Sequence, residues 1–157
     1  MVVDVTRARD ILSEVLKRMA LDVTVEAIDT EEKLTLDVKG AETALVIGKK
    51  GATLDALQYL VSKILYRGAE GTPAGKPVVI DAEGYRARRE ESLTELAHRL
   101  AEKAVKSQKP VIVQNAMSPH ERRVIHLALD KVPGVTTRSE GEGMHRRLVV
   151  LPAPDKR

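Results

Sequence analysis

The spacing of apolar residues in this chain changes from every third or fourth position to every second and back again, and that change of period restricts its fold more than any other feature. Over residues 5–20, Ala8, Ile11, Leu12, Val15, Leu16 and Met19 make the single stripe of an amphipathic helix. Val23, Val25 and Ala27 then alternate with polar neighbours. After a polar turn at 29–32, Leu34, Leu36 and Val38 do the same, which predicts an antiparallel hairpin with one buried face. Gly40 ends the second strand. A short helix over 41–47 and a longer one over 52–66 follow, the latter with Leu54, Leu57, Val61, Ile64 and Leu65 facing inward. Residues 68–77, rich in Gly and Pro, read as a loop, and 78–80 as a short buried strand that completes the sheet.

A boundary near 82–84 separates this α-β-β-α-α-β half from the rest. Leu93, Leu96, Leu100 and Ala104 mark a long helix ending near Ser107. A strand at 111–113, a helix at 119–131 and strands at 135–138 and 147–151 across a Gly-rich loop complete an α-β-α-β-β order. The fold class is therefore α+β, with two small domains at residues 1–82 and 83–157.

Composition narrows the chemistry. The chain has no Phe and no Trp, so its cores must be aliphatic, and without cysteine it has no disulfides, thiolate metal sites or thiol nucleophiles. No uninterrupted apolar run suits a bilayer or a signal peptide, so the expected compartment is the cytosol, with no membrane insertion. Residues 1–82 carry 11 Lys and Arg against 13 Asp and Glu, whereas residues 83–157 carry 15 against 10. The basic balance lies in the second half, where a polyanion would be expected, although a solvated basic surface has the same composition.

Gly48-Lys49-Lys50-Gly51 sits between two helical stretches. Two glycines let a ligand approach the backbone closely, and the helix that follows offers free N–H groups and the positive end of its dipole. Lys49 and Lys50 add charge. The combination suits a sugar-phosphate backbone, with bases resting on Ile47 and Leu54; the plainer alternative is a helix connection with solvated lysines. No Gly-Lys-Ser/Thr closes the pattern, so it is not a nucleotide P-loop. The run Val46-Ile47-Gly48-Lys49-Lys50-Gly51-Ala52-Thr53-Leu54, after a helix and hairpin, resembles the bacterial (type II) KH domain. The resemblance implies a Gly-x-x-Gly loop that clamps about four nucleotides of a single strand.

Ser118-Pro119-His120-Glu121 is a helix start with the elements of a capping box. It places Arg122 and His126 four apart on one helix face, where an Arg fork and an imidazole can hold one phosphate. Alone, such a pair is more often a surface coincidence. In the run Met117-Ser118-Pro119-His120-Glu121-Arg122-Arg123-Val124-Ile125-His126 it resembles the R-3-H domain, named for Arg-x-x-x-His on a helix, and Ser139-Glu140-Gly141-Glu142-Gly143 with Arg146-Arg147 resembles its bacterial members. The resemblance implies single-strand binding by Arg122 and His126. Arg146 and Arg147 either extend that grip or are solvated strand residues. Arg86, Arg88 and Arg89 open the long helix, where its dipole disfavours cations; Glu83, Glu90 and Glu91 offer compensation, and a phosphate path along this helix is the alternative.

A KH domain followed by an R-3-H domain resembles the bacterial KhpB family, also called Jag or SpoIIIJ-associated. The resemblance implies a cytoplasmic RNA-binding protein, an RNA chaperone that partners the single-KH protein KhpA and is linked to cell elongation and peptidoglycan homeostasis. Many members carry an N-terminal Jag domain, whereas this sequence starts at the KH helix, which leaves functions of that domain in doubt.

Two other classes compete with nucleic-acid binding. An enzyme reading would use Glu121, Arg122 and His126, but the histidines are scattered and no carboxylate cluster or metal-ligand spacing appears, so no catalytic residue, metal or cofactor is expected. A protein-interaction module would use the net acidic KH half for a KH partner or a homodimer. Base stacking on aromatic side chains contributes about 1–3 kcal/mol per base in many single-strand binders. With only Tyr59, Tyr66 and Tyr85, modest, weakly sequence-specific and salt-sensitive binding is expected.

Overall fold

The computed structural model describes residues 4–67, 76–114 and 117–153. The chain divides into two compact units, Met1–Ala87 and Arg88–Arg157.

In the first unit, helix α1 (Val5–Arg18) starts at Asp4, whose carboxylate accepts the Arg7 backbone N–H at 2.9 Å, and ends with Lys17 and Arg18 in its last turn. Both ends thus suit the helix dipole. Strands β1 (Thr24–Asp29) and β2 (Leu34–Lys39) form the expected antiparallel hairpin, with Ala27 opposite Leu36. Helices α2 (Thr43–Ile47) and α3 (Ala52–Leu65) carry the chain to β3 (Val78–Ala82), which pairs parallel with β2 and sets Ile80 beside Leu36. The sheet order is β1-β2-β3. Leu12 and Leu16 of α1, Leu34, Leu36 and Val38 of β2, Leu54 and Val61 of α3 and Ile80 of β3 share one aliphatic core. Each leucine fully buried there contributes about 1.5–3 kcal/mol relative to exposure.

The helical stripes read from sequence are wider than the core they cover. Met19 follows the end of α1 and is 44% exposed, and Ile64 is 38% exposed because Leu57, Val61 and Leu65 already fill the α3 face. Most of the expected loop at 68–77 lies outside the described residues.

Helix α4 (Tyr85–Ser107) crosses the division between units. Its first residues belong to the first unit for a physical reason: Tyr85 packs on the first core, and the Arg86 guanidinium reaches Ile80 O, Asp55 and Gln58. The division between the two units therefore falls after Ala87.

In the second unit, α4 is followed by β4 (Val111–Ile112), α5 (Pro119–Leu129), β5 (Val135–Glu140) and β6 (Arg147–Pro152). The sheet is antiparallel in the order β4-β6-β5. Leu93, Ala97, Ala101 and Ala104 of α4 pack with Val124, Ile125 and Leu129 of α5 and Leu148 and Val150 of β6. Alanines line the buried face of α4, while Leu96 and Leu100 are only partly buried.

Candidate nucleic-acid interface

Two surfaces bring the charged motifs into defined geometry. On the first unit, Gly48 (φ 69°) ends α2 and Gly51 (φ 82°) is the left-handed residue that starts α3. A Cβ on Gly51 would lie 2.9 Å from Cε1 of Tyr85, and one on Gly48 would lie 2.8 Å from Cβ of Thr53. Glycine is required at both positions by conformation and by space. No side chain caps α3, so its first-turn N–H groups point toward the Gly48–Gly51 turn without a side-chain acceptor. Lys49 and Lys50 are exposed there, and Lys50 itself is left-handed (φ 55°). The one acid in the first turn of α3, Asp55, accepts from Arg86 Nη1 at 2.9 Å.

On the second unit, Ser118 caps α5. Its hydroxyl accepts the Glu121 N–H at 3.1 Å, and the Glu121 carboxylate accepts the Ser118 N–H at 2.9 Å. This reciprocal box fixes the register of the helix. Arg122 is half-buried, and its Nη1 donates to Met117 O at 2.7 Å, which holds the guanidinium while leaving other N–H groups to a ligand. His126 Nδ1 bonds the Thr137 hydroxyl of β5, so Nε2 is the ring nitrogen available to a ligand. A pocket of about 590 Å³ lies beside these groups, lined by Pro119, His120, Arg122, Arg123, His126, Arg138, Ser139 and Arg146. Among the described residues, four arginines, two histidines and no carboxylate face it, and Arg138 also pairs with a nearby acid, Glu140. Charge of one sign in a concave site concentrates anions.

The structure places Arg122, His126 and Arg146 around one pocket, and it keeps Gly48, Lys49, Lys50 and Gly51 in one turn beside Ile47, which is half-buried. Two expectations are corrected. Leu54 has no exposed surface; it points into the first core from the turn of α3 after Gly51 and cannot carry a base. Arg147, at the start of β6, donates to Gln114 at 2.9 Å and does not line the pocket that Arg146 lines, because successive strand residues point to opposite faces. Arg86 pairs with Asp55 and Arg89 with Glu121, acids distant in sequence. Sequence reasoning missed His120, Arg123, Arg138 and Ser139. His120 and Arg123 were within reach of helical periodicity, but Arg138 and Ser139 join only through the packing of β5 against α5.

No group of three or more His, Asp or Glu side chains among the described residues could hold a metal ion. No helix among them is long and apolar enough to cross a membrane.

A glycine-bracketed lysine turn opening one helix, and an Arg–His pair on a second, capped helix, define a protein of paired KH and R-3-H domains. Residues 6–72 match the family model of the KhpA/KhpB KH domain, and residues 91–152 that of the R-3-H domain. The chain thus carries a KH domain of the KhpA/KhpB type followed by an R-3-H domain, and is similar over most of its length to proteins named KhpB. It is 39% identical over 132 residues to the RNA-binding protein KhpB of Clostridium symbiosum, covering 84% of this chain and 58% of that protein. Against RNA-binding protein KhpB of Bacillus subtilis it is 37% identical over 131 residues, covering 82% and 60%, and against that of Lactiplantibacillus plantarum 33% over 141 residues, covering 90% and 42%. The chain thus spans three-fifths or less of the length of these curated relatives.

Proposed function

We propose that this chain binds single-stranded RNA, and single-stranded DNA where the 2′-hydroxyl is not read, by gripping the phosphate backbone at the Gly48–Gly51 turn and at the α5 pocket. The observation that carries the reading is the pocket itself: Arg122 and His126 are each held by a hydrogen bond and face a cavity lined by cations and no acid. The relatives named RNA-binding protein KhpB support it. In this reading Gly48, Lys49, Lys50 and Gly51 clamp one stretch of backbone, Ile47 lies beside the bases, and Arg122, His126 and Arg146 hold a second stretch. The chain acts in the cytoplasm as an RNA chaperone with a KhpA-like KH protein, in the service of cell elongation and peptidoglycan homeostasis. No group is assigned a catalytic role; turnover of labelled RNA that disappears in His126→Ala would count against that assignment.

A second reading, binding to a KH partner or to another copy of the chain, is favoured by one observation. Tyr59, Leu60 and Ile64 lie on the outward side of α3 at 67%, 42% and 38% exposure. The two readings are compatible. Titrating a labelled single-stranded RNA by fluorescence anisotropy against wild type, Lys49→Asp/Lys50→Asp and Arg122→Ala/His126→Ala tests the first. Loss of affinity in both variants supports two gripping sites. A wild-type chain that binds no RNA, yet elutes as a defined complex with a KH partner, leaves only the second.

A further inference from the structure

Arg86 and Arg89 stand where a helix dipole disfavours cations, and each reaches an acid at the start of a different helix. Arg86 Nη1 donates to Asp55 Oδ1 at 2.9 Å, and Asp55 is the acid in the first turn of α3, beyond the Gly48–Gly51 turn. Arg89 Nε donates to Glu121 Oε1 at 3.0 Å, and Glu121 is the acid in the first turn of α5, next to Arg122. An acid in a first helical turn stabilises the helix by interacting with its dipole. At a helix that must receive phosphate, the same carboxylate competes for the same field and repels the ligand. Glu121 cannot simply be dispensed with, because its other oxygen closes the capping box on Ser118.

We infer that Arg86 and Arg89 are positioning residues for the two nucleic-acid sites, each neutralising the carboxylate that begins the site's own helix. The inference rests on the phosphate-gripping reading above. The acid keeps its helix-starting role while its charge is cancelled by a guanidinium fixed from α4. Arg86 is held by two further acceptors, Ile80 O at 2.8 Å and Gln58 Oε1 at 3.1 Å, so it stays on Asp55 and is not offered to the ligand. Arg89 bonds Glu121 through both Nε and Nη2. The paired N–H fork of arginine does this where a lysine would supply only a point charge.

The test separates charge from architecture. Arg86→Gln leaves Asp55 uncompensated and is expected to weaken binding of a fluorescein-labelled oligouridine about threefold at low salt, with the difference vanishing at high salt. Arg86→Gln/Asp55→Asn is expected to recover wild-type affinity although the bonds to Gln58 and Ile80 remain lost, so that its melting temperature stays below wild type. In the second unit, Arg89→Gln weakens binding and Arg89→Gln/Glu121→Gln restores it, since a glutamine at this position still closes the box. Should Arg89→Gln unfold, Glu121→Gln alone is read instead: it frees the Arg89 charge and is expected to tighten binding. Affinity that ignores Arg86→Gln, or a double variant as weak as the single one, overturns the inference while the binding reading stands. A wild-type chain that fails to bind the oligonucleotide overturns both.

Discussion

The Gly48–Gly51 turn and the α5 pocket, the two sites proposed for phosphate, are built by opposite means. The first is made of backbone: two left-handed glycines, an uncapped helix start and two exposed lysines whose charge needs no fixed direction. The second is made of side chains, each held by another part of the unit: Arg122 by Met117 O and His126 by Thr137. A backbone site is robust to changes in nearby side chains but intolerant of a Cβ. A side-chain site depends on the framework beneath it. The helix cap follows the same division, because α5 closes its own start with Ser118 and Glu121 whereas no side chain caps α3.

The comparison can be broken most severely through the cores. Leu54→Ala, under the first site, should cost about 2–5 kcal/mol in chemical denaturation, since the side chain is wholly buried. Its RNA affinity per folded molecule should nevertheless match wild type, and a loss of affinity in fully folded protein would return Leu54 to the binding surface. Arg89→Ala should destabilise the second unit by about 2–3 kcal/mol by stranding the Glu121 carboxylate, which is 7% exposed; that is below the full effect of a buried pair because Arg89 is partly exposed. Arg122→Ala removes a charge-assisted donor already in place and should reduce RNA affinity about tenfold in anisotropy titrations, with little change in melting temperature. The smallest effect is expected of Thr137→Val. It releases His126 without removing it, so binding should weaken about twofold to fivefold, near the net contribution of one hydrogen bond. If Thr137→Val has no effect while His126→Ala does, the imidazole needs no support and the contrast between the two sites narrows.

Much of this was legible in the chain because the informative signals are local. The hydrophobic pattern placed the α-helices and strands in order, and Ser118 with Glu121 announced the start of α5 three residues apart. Gly-Lys-Lys-Gly marked the turn because its requirements, three positive φ angles and a helix start, are met within four residues. What escaped detection depends on contacts across the fold. The partner of Arg86 is 31 residues away and that of Arg89 is 32 away, so neighbouring glutamates looked like the natural compensation. Arg138 reaches the pocket only because β5 packs on α5. Leu54 was misplaced for a subtler reason: adjacency to a binding loop in sequence does not determine which side of the helix a residue occupies, and one more turn of α3 points it at the core.

The parallel pairing of β2 with β3 has a consequence for the order in which the molecule assembles. Leu34 lies beside Val78, so this sheet closes across α2, α3 and the connection that follows them, whereas β5 and β6 meet across a short bend. Closing the longer span carries the greater entropy cost and should be the slower event. A chain emerging from the ribosome will have made both lysines of the Gly48–Gly51 turn well before β3 and Tyr85 arrive to hold that turn from beneath. The turn is therefore held only once the first unit has been made almost to its end.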